Sequence, residues 1–154
     1  MKPGSFTQIY IQLVFSPKHR ECLLTANIRP RIIEYLSGII TNLGHKSIIV
    51  NGVADHVHIF LGLNPKISIS ETVKELKRSS SILINEKRLV SGKFEWQEGY
   101  GGFSYGHSQI GKVFNYIKDQ EIHHQKRTFR EEYLEFLNRY EIKFEDQYLF
   151  EFFD

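Results

Sequence analysis

Two neighbouring runs of β-branched and aromatic residues in the middle of the chain constrain its fold more than any other feature. Residues 45–54 (HKSIIVNGVA) and residues 55–63 (DHVHIFLGL) both have the composition of β-strands, and no helical segment separates them. Strands joined so closely are expected to pair with each other as an antiparallel hairpin. The middle of the chain therefore predicts two adjacent strands of one sheet.

Strand-like and helix-like segments alternate on both sides of this hairpin. Strands are expected at residues 7–15 and 94–105, and helices at residues 25–43, from Ser68 or Ser70 to about 88, at 108–127 and at 131–140. The resulting order, β-α-β-β-α-β-α-α, predicts an α+β fold. The expected architecture is a ferredoxin-like antiparallel β-sheet with helices packed on one face, plus C-terminal helices.

Length and composition predict one intracellular domain. The chain has 154 residues, which is enough for a single domain over residues 1–154 with its own core. Its only cysteine is Cys22, so no intrachain disulfide can form. We find no apolar run of membrane-spanning length and no signal-peptide region, and we expect a cytoplasmic protein without a membrane partner.

Charge is unevenly distributed along the chain although the formal net charge is only +2. Basic residues cluster within residues 74–88 and 112–127, whereas acidic residues are concentrated in residues 141–154. This asymmetry is compatible with a main body that binds a polyanion and an acidic tail that faces away from the polyanion.

The segment DHVHIF contains two histidines two positions apart. Because side chains alternate along a strand, His56 and His58 share one face with Phe60, while Asp55 points to the other face with the aliphatic residues. The aliphatic face suits the helices, so the imidazoles are expected on the open face, about 6.5–7 Å apart. The pair is compatible with one metal ion and also with two half-exposed polar side chains. Asp55 is not expected to be a ligand.

The helix predicted over residues 108–127 carries a polar stripe beside an apolar face. The stripe consists of Gln109, Lys112, Tyr116, Gln120 and His123. A phenol can act as a nucleophile, and an amide oxygen one turn later can join two imidazoles around Mg²⁺ or Mn²⁺. A tyrosine at the boundary of an ordinary amphipathic helix remains the alternative interpretation.

These segments together resemble a known family. HVHIF resembles the His–hydrophobic–His (HUH) motif. NYIKDQEIHH, with WQEGYGGFSY before it and RTFREEYLEFLNRYEIKFEDQYLF after it, resembles the small single-tyrosine HUH transposases, which include the REP-associated tyrosine transposases. The likeness covers about residues 4–150. Such enzymes move insertion sequences as single-stranded DNA.

The resemblance implies a role for each matching residue. His56 and His58 would hold a divalent metal, Mg²⁺ or Mn²⁺, Tyr116 would be the nucleophile, and Gln120 would be the third metal ligand. The implied reaction cleaves and rejoins single-stranded DNA through a 5′-phosphotyrosine. The implied partners are DNA with a hairpin at the element ends and a second copy of the chain, with the site completed within one subunit or across two.

Further expectations concern DNA contacts and competing functions. Lys74, Lys77, Arg78 and Lys112 are candidate contacts to the DNA backbone, with a solvated helix face as the alternative. One competing function is a non-catalytic or domesticated protein that binds single-stranded nucleic acid. Another is a metal-dependent hydrolase in which a bound water attacks and Tyr116 is structural.

Overall fold

A four-stranded antiparallel sheet forms the centre of the structure, a computed structural model that describes residues 4–143. The strands are β1 (Tyr10–Phe15), β2 (Lys46–Val53), β3 (His56–Gly62) and β4 (Gly101–Tyr105), in the order β2-β3-β1-β4. Every neighbouring pair is antiparallel. The predicted hairpin of β2 and β3 is confirmed, and the expected acidic tail lies almost wholly outside the described residues.

Two helices cover the face of the sheet that carries the aliphatic side chains. They are α1 (Arg29–Asn42) and α2 (Ile69–Glu86), and they interleave with the strands in the predicted order. Ser68, rather than Ser70, caps α2, because its hydroxyl accepts the Glu71 N–H at 3.1 Å. The ferredoxin-like prediction is therefore confirmed. Among the described helices, none is both long enough and apolar enough to cross a membrane.

Three C-terminal helices cover the opposite face, where His56 and His58 lie. These are α3 (Ile110–Lys118), α4 (Gln120–Lys126) and α5 (Phe129–Arg139). Phe136 of α5 stacks on Phe103 of β4 with ring centroids 5.0 Å apart, and Val113 of α3 packs with Phe60. The prediction that this face is open is wrong, because its aromatic side chains gain stability by burial under these helices.

The helix predicted over residues 108–127 is interrupted at Asp119. A short 3₁₀ turn precedes α3, and α4 begins directly after the interruption. Asn51 of β2 donates its side-chain amide to the carbonyls of Ile117, at 2.8 Å, and Lys118, at 3.1 Å. In a continuous helix these carbonyls would accept N–H groups four residues later. The prediction of one helix is wrong because the Asn51 side chain takes the place of the helical N–H donors at these two carbonyls, and the helix ends there.

The last described helix, α5, buries one stripe of side chains against the sheet. Thr128 caps α5 by accepting the Glu131 N–H at 3.2 Å. The buried stripe consists of Phe129, Glu132, Tyr133, Phe136 and Leu137. This spacing is the apolar face of an amphipathic helix, so Glu132 is a carboxylate at a core position, with 1% of its surface exposed.

Candidate metal and tyrosine site

The histidine pair of β3 lies in the interior, between the sheet and the C-terminal helices. The rings of His56 and His58 have their centroids 5.1 Å apart, and neither residue is exposed. Phe129 stacks on His56 at 3.8 Å with an interplanar angle of 3°. The two imidazoles are therefore held in a fixed relation to each other and shielded from bulk water.

A second side chain orients each ring through its Nδ1 atom. Asp55 Oδ1 lies 2.8 Å from Nδ1 of His56. Gln12 Nε2 lies 2.8 Å from Nδ1 of His58, and Gln12 Oε1 accepts the Tyr105 hydroxyl at 2.7 Å. Asp55 reaches the imidazole despite the predicted opposite face because residues 54–55 form the turn before β3. Partners of this kind fix the orientation of metal-binding histidines.

Glu132 of α5 connects the histidine pair with the tyrosine. Its Oε1 atom lies 3.3 Å from Nε2 of His56 and 3.1 Å from Nε2 of His58. Its Oε2 atom accepts the hydroxyl of Tyr116. Sequence reasoning missed Glu132, although a carboxylate on the apolar stripe of α5 was a usable signal.

Tyr116 and Gln120 approach the histidines from the ends of two different helices. The Tyr116 hydroxyl also accepts a hydrogen bond of 3.0 Å from the Arg127 guanidinium. The Tyr116 ring lies edge-on to His58 with the ring centroids 6.1 Å apart. Gln120 is fully buried, and its Nε2 donates to Glu132 Oε2 at 3.4 Å. All four predicted site residues therefore converge within one chain.

Burial and the Glu132 carboxylate shift the pKa values of Tyr116 and His56. Burial, and then the charge and hydrogen bond of Glu132, raise the pKa of Tyr116, and Arg127 only partly offsets this. Burial opposes the charged form of His56, but Asp55 and Glu132 outweigh it and raise the pKa of that imidazole. The phenol therefore keeps its proton at neutral pH, so an attack by Tyr116 requires a proton acceptor.

The donor atoms around Glu132 suit a divalent metal ion. Ligand atoms of His56, His58 and Glu132 all lie within 4.8 Å of one another. Within the described part of the chain, the buried Oε1 atom of Gln120 has no hydrogen-bond partner. Two imidazole nitrogens with carboxylate and amide oxygens form a mixed set that favours Mn²⁺ over Mg²⁺ by affinity. The residues present therefore fit the expected metal.

A cavity of about 260 Å³ opens beside Tyr116. Its lining combines cationic, polar and aromatic side chains with two carboxylates, among them Lys112, Arg127, Arg139, Gln109, Tyr105, Tyr140, Glu132 and Glu135. Glu135 pairs with both Arg127 and Arg139. Cationic groups beside a phenol provide a favourable environment for a phosphate. Of the four basic residues predicted to contact DNA, Lys112 is the one that the structure places here.

The other three predicted DNA contacts lie on α2, on the opposite face of the sheet from Tyr116. The ammonium group of Lys77 donates to the carbonyls of Gln97, at 2.7 Å, and Gly99, at 2.6 Å. Lys74 is exposed, and Arg78 pairs with Glu75 on the helix surface at 2.8 Å. Contacts of these three residues with DNA stay a prediction, and Lys77 has a structural role in addition.

Replacing Lys77 with methionine is expected to destabilise the fold. Two carbonyls would lose their donor, at a cost of about 1–3 kcal/mol in the free energy of unfolding. Urea denaturation measures this cost. Lys74→Met, on the exposed side of the same helix, is the matched control and should unfold like the wild type. Equal stability of both variants would contradict the structural role of Lys77.

Comparison with known proteins adds sequence and structural likenesses. The family model described as "Transposase IS200 like" matches residues 5–120. The transposases for insertion sequence element IS200 from Salmonella typhimurium strain LT2 and from Salmonella typhi are both 27% identical over 113 residues, covering 70% of this chain and 74% of theirs. The segment that the family model matches, residues 5–120, includes the histidines, the tyrosine and Gln120, and it ends before Glu132.

Two solved structures share the fold. A transposase candidate from Deinococcus radiodurans R1 superimposes with a TM-score of 0.63 at 22% identity, over 78% of this chain and 96% of that one. A REP-associated tyrosine transposase bound to a REP hairpin superimposes with a TM-score of 0.58 at 12% identity, over 80% and 74% respectively. At these identities the likeness supports the architecture alone.

Proposed function

Because this chain belongs to the IS200-like transposase family, we propose that it cleaves and rejoins single-stranded DNA through a 5′-phosphotyrosine intermediate on Tyr116. The observation that carries the proposal is the convergence of a phenol and two imidazoles on one buried carboxylate. Nucleophile and metal-binding groups within reach of each other are what phosphoryl transfer to a side chain requires.

Tyr116 supplies the oxygen that attacks the scissile phosphate. The new bond joins the phenolic oxygen to phosphorus, and the bond from phosphorus to the 3′ oxygen breaks. The leaving 3′ oxygen takes up a proton from water, so that the leaving strand ends in a 3′-hydroxyl. Glu132 Oε2 already accepts the phenolic hydrogen and is the atom placed to take the proton. Arg127, at 3.0 Å from the same oxygen, stabilises the phenolate form. A second 3′-hydroxyl reverses the step and releases Tyr116, so no nucleotide cofactor is needed.

His56, His58 and Gln120 would hold the divalent ion, Mg²⁺ or Mn²⁺. When bound, the ion offsets the charge of the scissile phosphate. Asp55 and Gln12 keep the imidazoles oriented through their Nδ1 atoms.

The proposed partners are single-stranded DNA with a hairpin and a second copy of the chain. The REP-associated relative was solved with a REP hairpin, which supports a hairpin substrate here. Lys112, with Arg127 and Arg139, lines the cavity beside Tyr116 and would contact the DNA backbone there. Tyr116 and the histidines meet within one chain, which supports a reaction site formed by a single subunit. We also propose that the protein is a homodimer and is located in the cytoplasm.

A covalent protein–DNA adduct tests the proposal. Single-stranded oligonucleotides from the DNA that flanks the coding sequence, labelled at the 3′ end, are incubated with the protein and Mn²⁺. We expect a labelled band that survives denaturing electrophoresis and disappears when a chelator replaces Mn²⁺. Cleavage without an adduct would indicate the metal-dependent hydrolase, and DNA binding without cleavage would indicate the non-catalytic binding protein.

A further inference from the structure

Glu132 is a carboxylate in an environment that penalises a negative charge. It is 1% exposed and lies between aromatic residues on the buried stripe of α5. Burial of a carboxylate is strongly unfavourable unless a positive charge and hydrogen bonds compensate it. Its position in the first turn of α5 supplies a small part of that compensation, because a helix N-terminus favours negative charge.

The histidine nitrogens that face Glu132 indicate where the larger compensation comes from. The Asp55 carboxylate at Nδ1 of His56 requires a hydrogen on that atom, so a neutral ring directs the lone pair of Nε2 towards Glu132 Oε1, 3.3 Å away. A lone pair and a carboxylate oxygen repel each other at that separation. The arrangement therefore favours a positive charge between them, which a proton on Nε2 supplies in the metal-free protein and a divalent ion would supply when bound.

His58 can adopt the same tautomer. Its Nδ1 atom contacts the side-chain amide of Gln12, whose nitrogen and oxygen exchange places when the amide rotates. With the amide rotated, the Tyr105 hydroxyl, which now donates to Gln12 Oε1, would instead accept the Gln12 amide nitrogen. Nδ1 of His58 would then carry the hydrogen, and its Nε2 lone pair would face Glu132 Oε1, 3.1 Å away. Both imidazoles can then direct lone pairs to the same point as the carboxylate.

We infer that Glu132 is itself a ligand of the divalent ion and that its second oxygen positions the Tyr116 hydroxyl. This inference deepens the proposed function and rests on it. The ion would be held by two imidazoles and a carboxylate, a set with positions left for Gln120 and for substrate oxygens. Glu132 lies beyond residues 5–120, which match the family model, so the ligand comes from a helix outside the matched segment.

One carboxylate shared in this way links the metal and the nucleophile. Oε1 faces the histidines while Oε2 holds the phenolic hydrogen of Tyr116. A single side chain on α5 would then both hold the ion and accept the hydrogen of the attacking phenol. Such preorganisation lowers the entropic cost of reaching the reactive geometry.

Metal binding by Glu132→Gln tests the inference without measuring activity. The protein is stripped of metal and titrated calorimetrically with Mn²⁺, and visible absorption spectra are recorded with Co²⁺. We expect at least about tenfold weaker Mn²⁺ binding and an altered Co²⁺ spectrum, as for the loss of a coordinating or supporting group. Glu131→Gln is the matched control, because it removes the same charge from an exposed position in the same helical turn and should leave both readouts unchanged.

A second variant separates coordination from net charge. Glu132→Asp keeps the charge but withdraws the oxygens by one methylene, and it is also expected to weaken Mn²⁺ binding. Full retention of binding in this variant, with loss in Glu132→Gln, would assign the effect to charge and overturn the inference. Unchanged Mn²⁺ binding in Glu132→Gln, together with lost binding in His58→Ala, would also overturn the inference. That outcome would leave the histidine metal site of the proposed function intact. A wild-type protein that does not bind Mn²⁺ would overturn both.

Discussion

Replacing Tyr116 with phenylalanine is expected to abolish the covalent protein–DNA adduct, with a rate at least about 10³-fold lower, because the attacking oxygen is removed. The phenyl ring retains the stacking contact with His123, whose centroid lies 4.6 Å from that of Tyr116, so the fold should persist. Denaturing electrophoresis with 3′-labelled single-stranded DNA and Mn²⁺ measures the adduct. Thermal unfolding of the same preparation verifies that the variant is folded.

A tyrosine remote from the site provides the control for this experiment. Tyr35 lies on α1, is 38% exposed and packs on the other side of the sheet. Tyr35→Phe is expected to form the adduct at the wild-type rate. Undiminished adduct in Tyr116→Phe would show that another residue is the nucleophile and would refute the assignment of Tyr116.

Removal of the His58 imidazole is expected to have the second large effect. His58→Ala deletes one proposed ligand and removes an imidazole that contacts the buried carboxylate of Glu132, so Mn²⁺ affinity and the rate of adduct formation should both fall at least about 100-fold. Calorimetric titration with Mn²⁺ and the adduct assay measure the two losses. Both are performed well below the unfolding midpoint of the variant.

His45 offers a matched comparison for His58. Its imidazole is also buried and hydrogen-bonded, to the Thr72 hydroxyl at 2.8 Å and the Asn64 N–H at 2.8 Å. His45→Ala should therefore lower the unfolding midpoint while Mn²⁺ binding by the folded protein stays at the wild-type value. Equal losses of Mn²⁺ affinity in the two folded variants would contradict a specific role of His58 in the metal site.

The core of the fold was predictable because its signals are local. Alternation along DHVHIF separates His56 and His58 from the aliphatic residues, and the sheet register keeps that separation, with Val57 and Ile59 on the other face. The helices α1 and α2 follow from apolar spacing and from the cap at Ser68. Each of these features depends on residues that are close together in the sequence.

The errors came from contacts between distant parts of the chain. Asn51, which interrupts the helix that carries Tyr116, lies 66 residues before Ile117 in the sequence. The residues near Asp119 give no sequence signal of a helix break. The histidine face was expected to be open because the helices were assigned to the aliphatic face. Phe60 and Phe103, which lie on the histidine face, are buried as well, so this face also needs cover. Burial of this face is a tertiary property that spacing along one strand cannot reveal.

The site was predicted in part, for a similar reason. Tyr116 and Gln120 were expected on one continuous helix, yet they meet the histidines from α3 and α4, because the break leaves the two residues adjacent. Glu132 was overlooked because a charged residue in a helix usually faces water. Its neighbours Phe129, Tyr133 and Phe136 already defined a buried stripe that includes it.

The helix α5 lies outside the segment that matches the family model but inside the folded core. The segment that matches the family model stops at residue 120, yet Phe129, Tyr133, Phe136 and Leu137 join the same apolar core as the strands. A chain cut at that boundary would expose Phe103 and the stacked face of His56 to water. The folded unit of this chain is thus longer than the segment that matches the family model, and we expect a fragment that ends at residue 120 to be less stable than the longer chain.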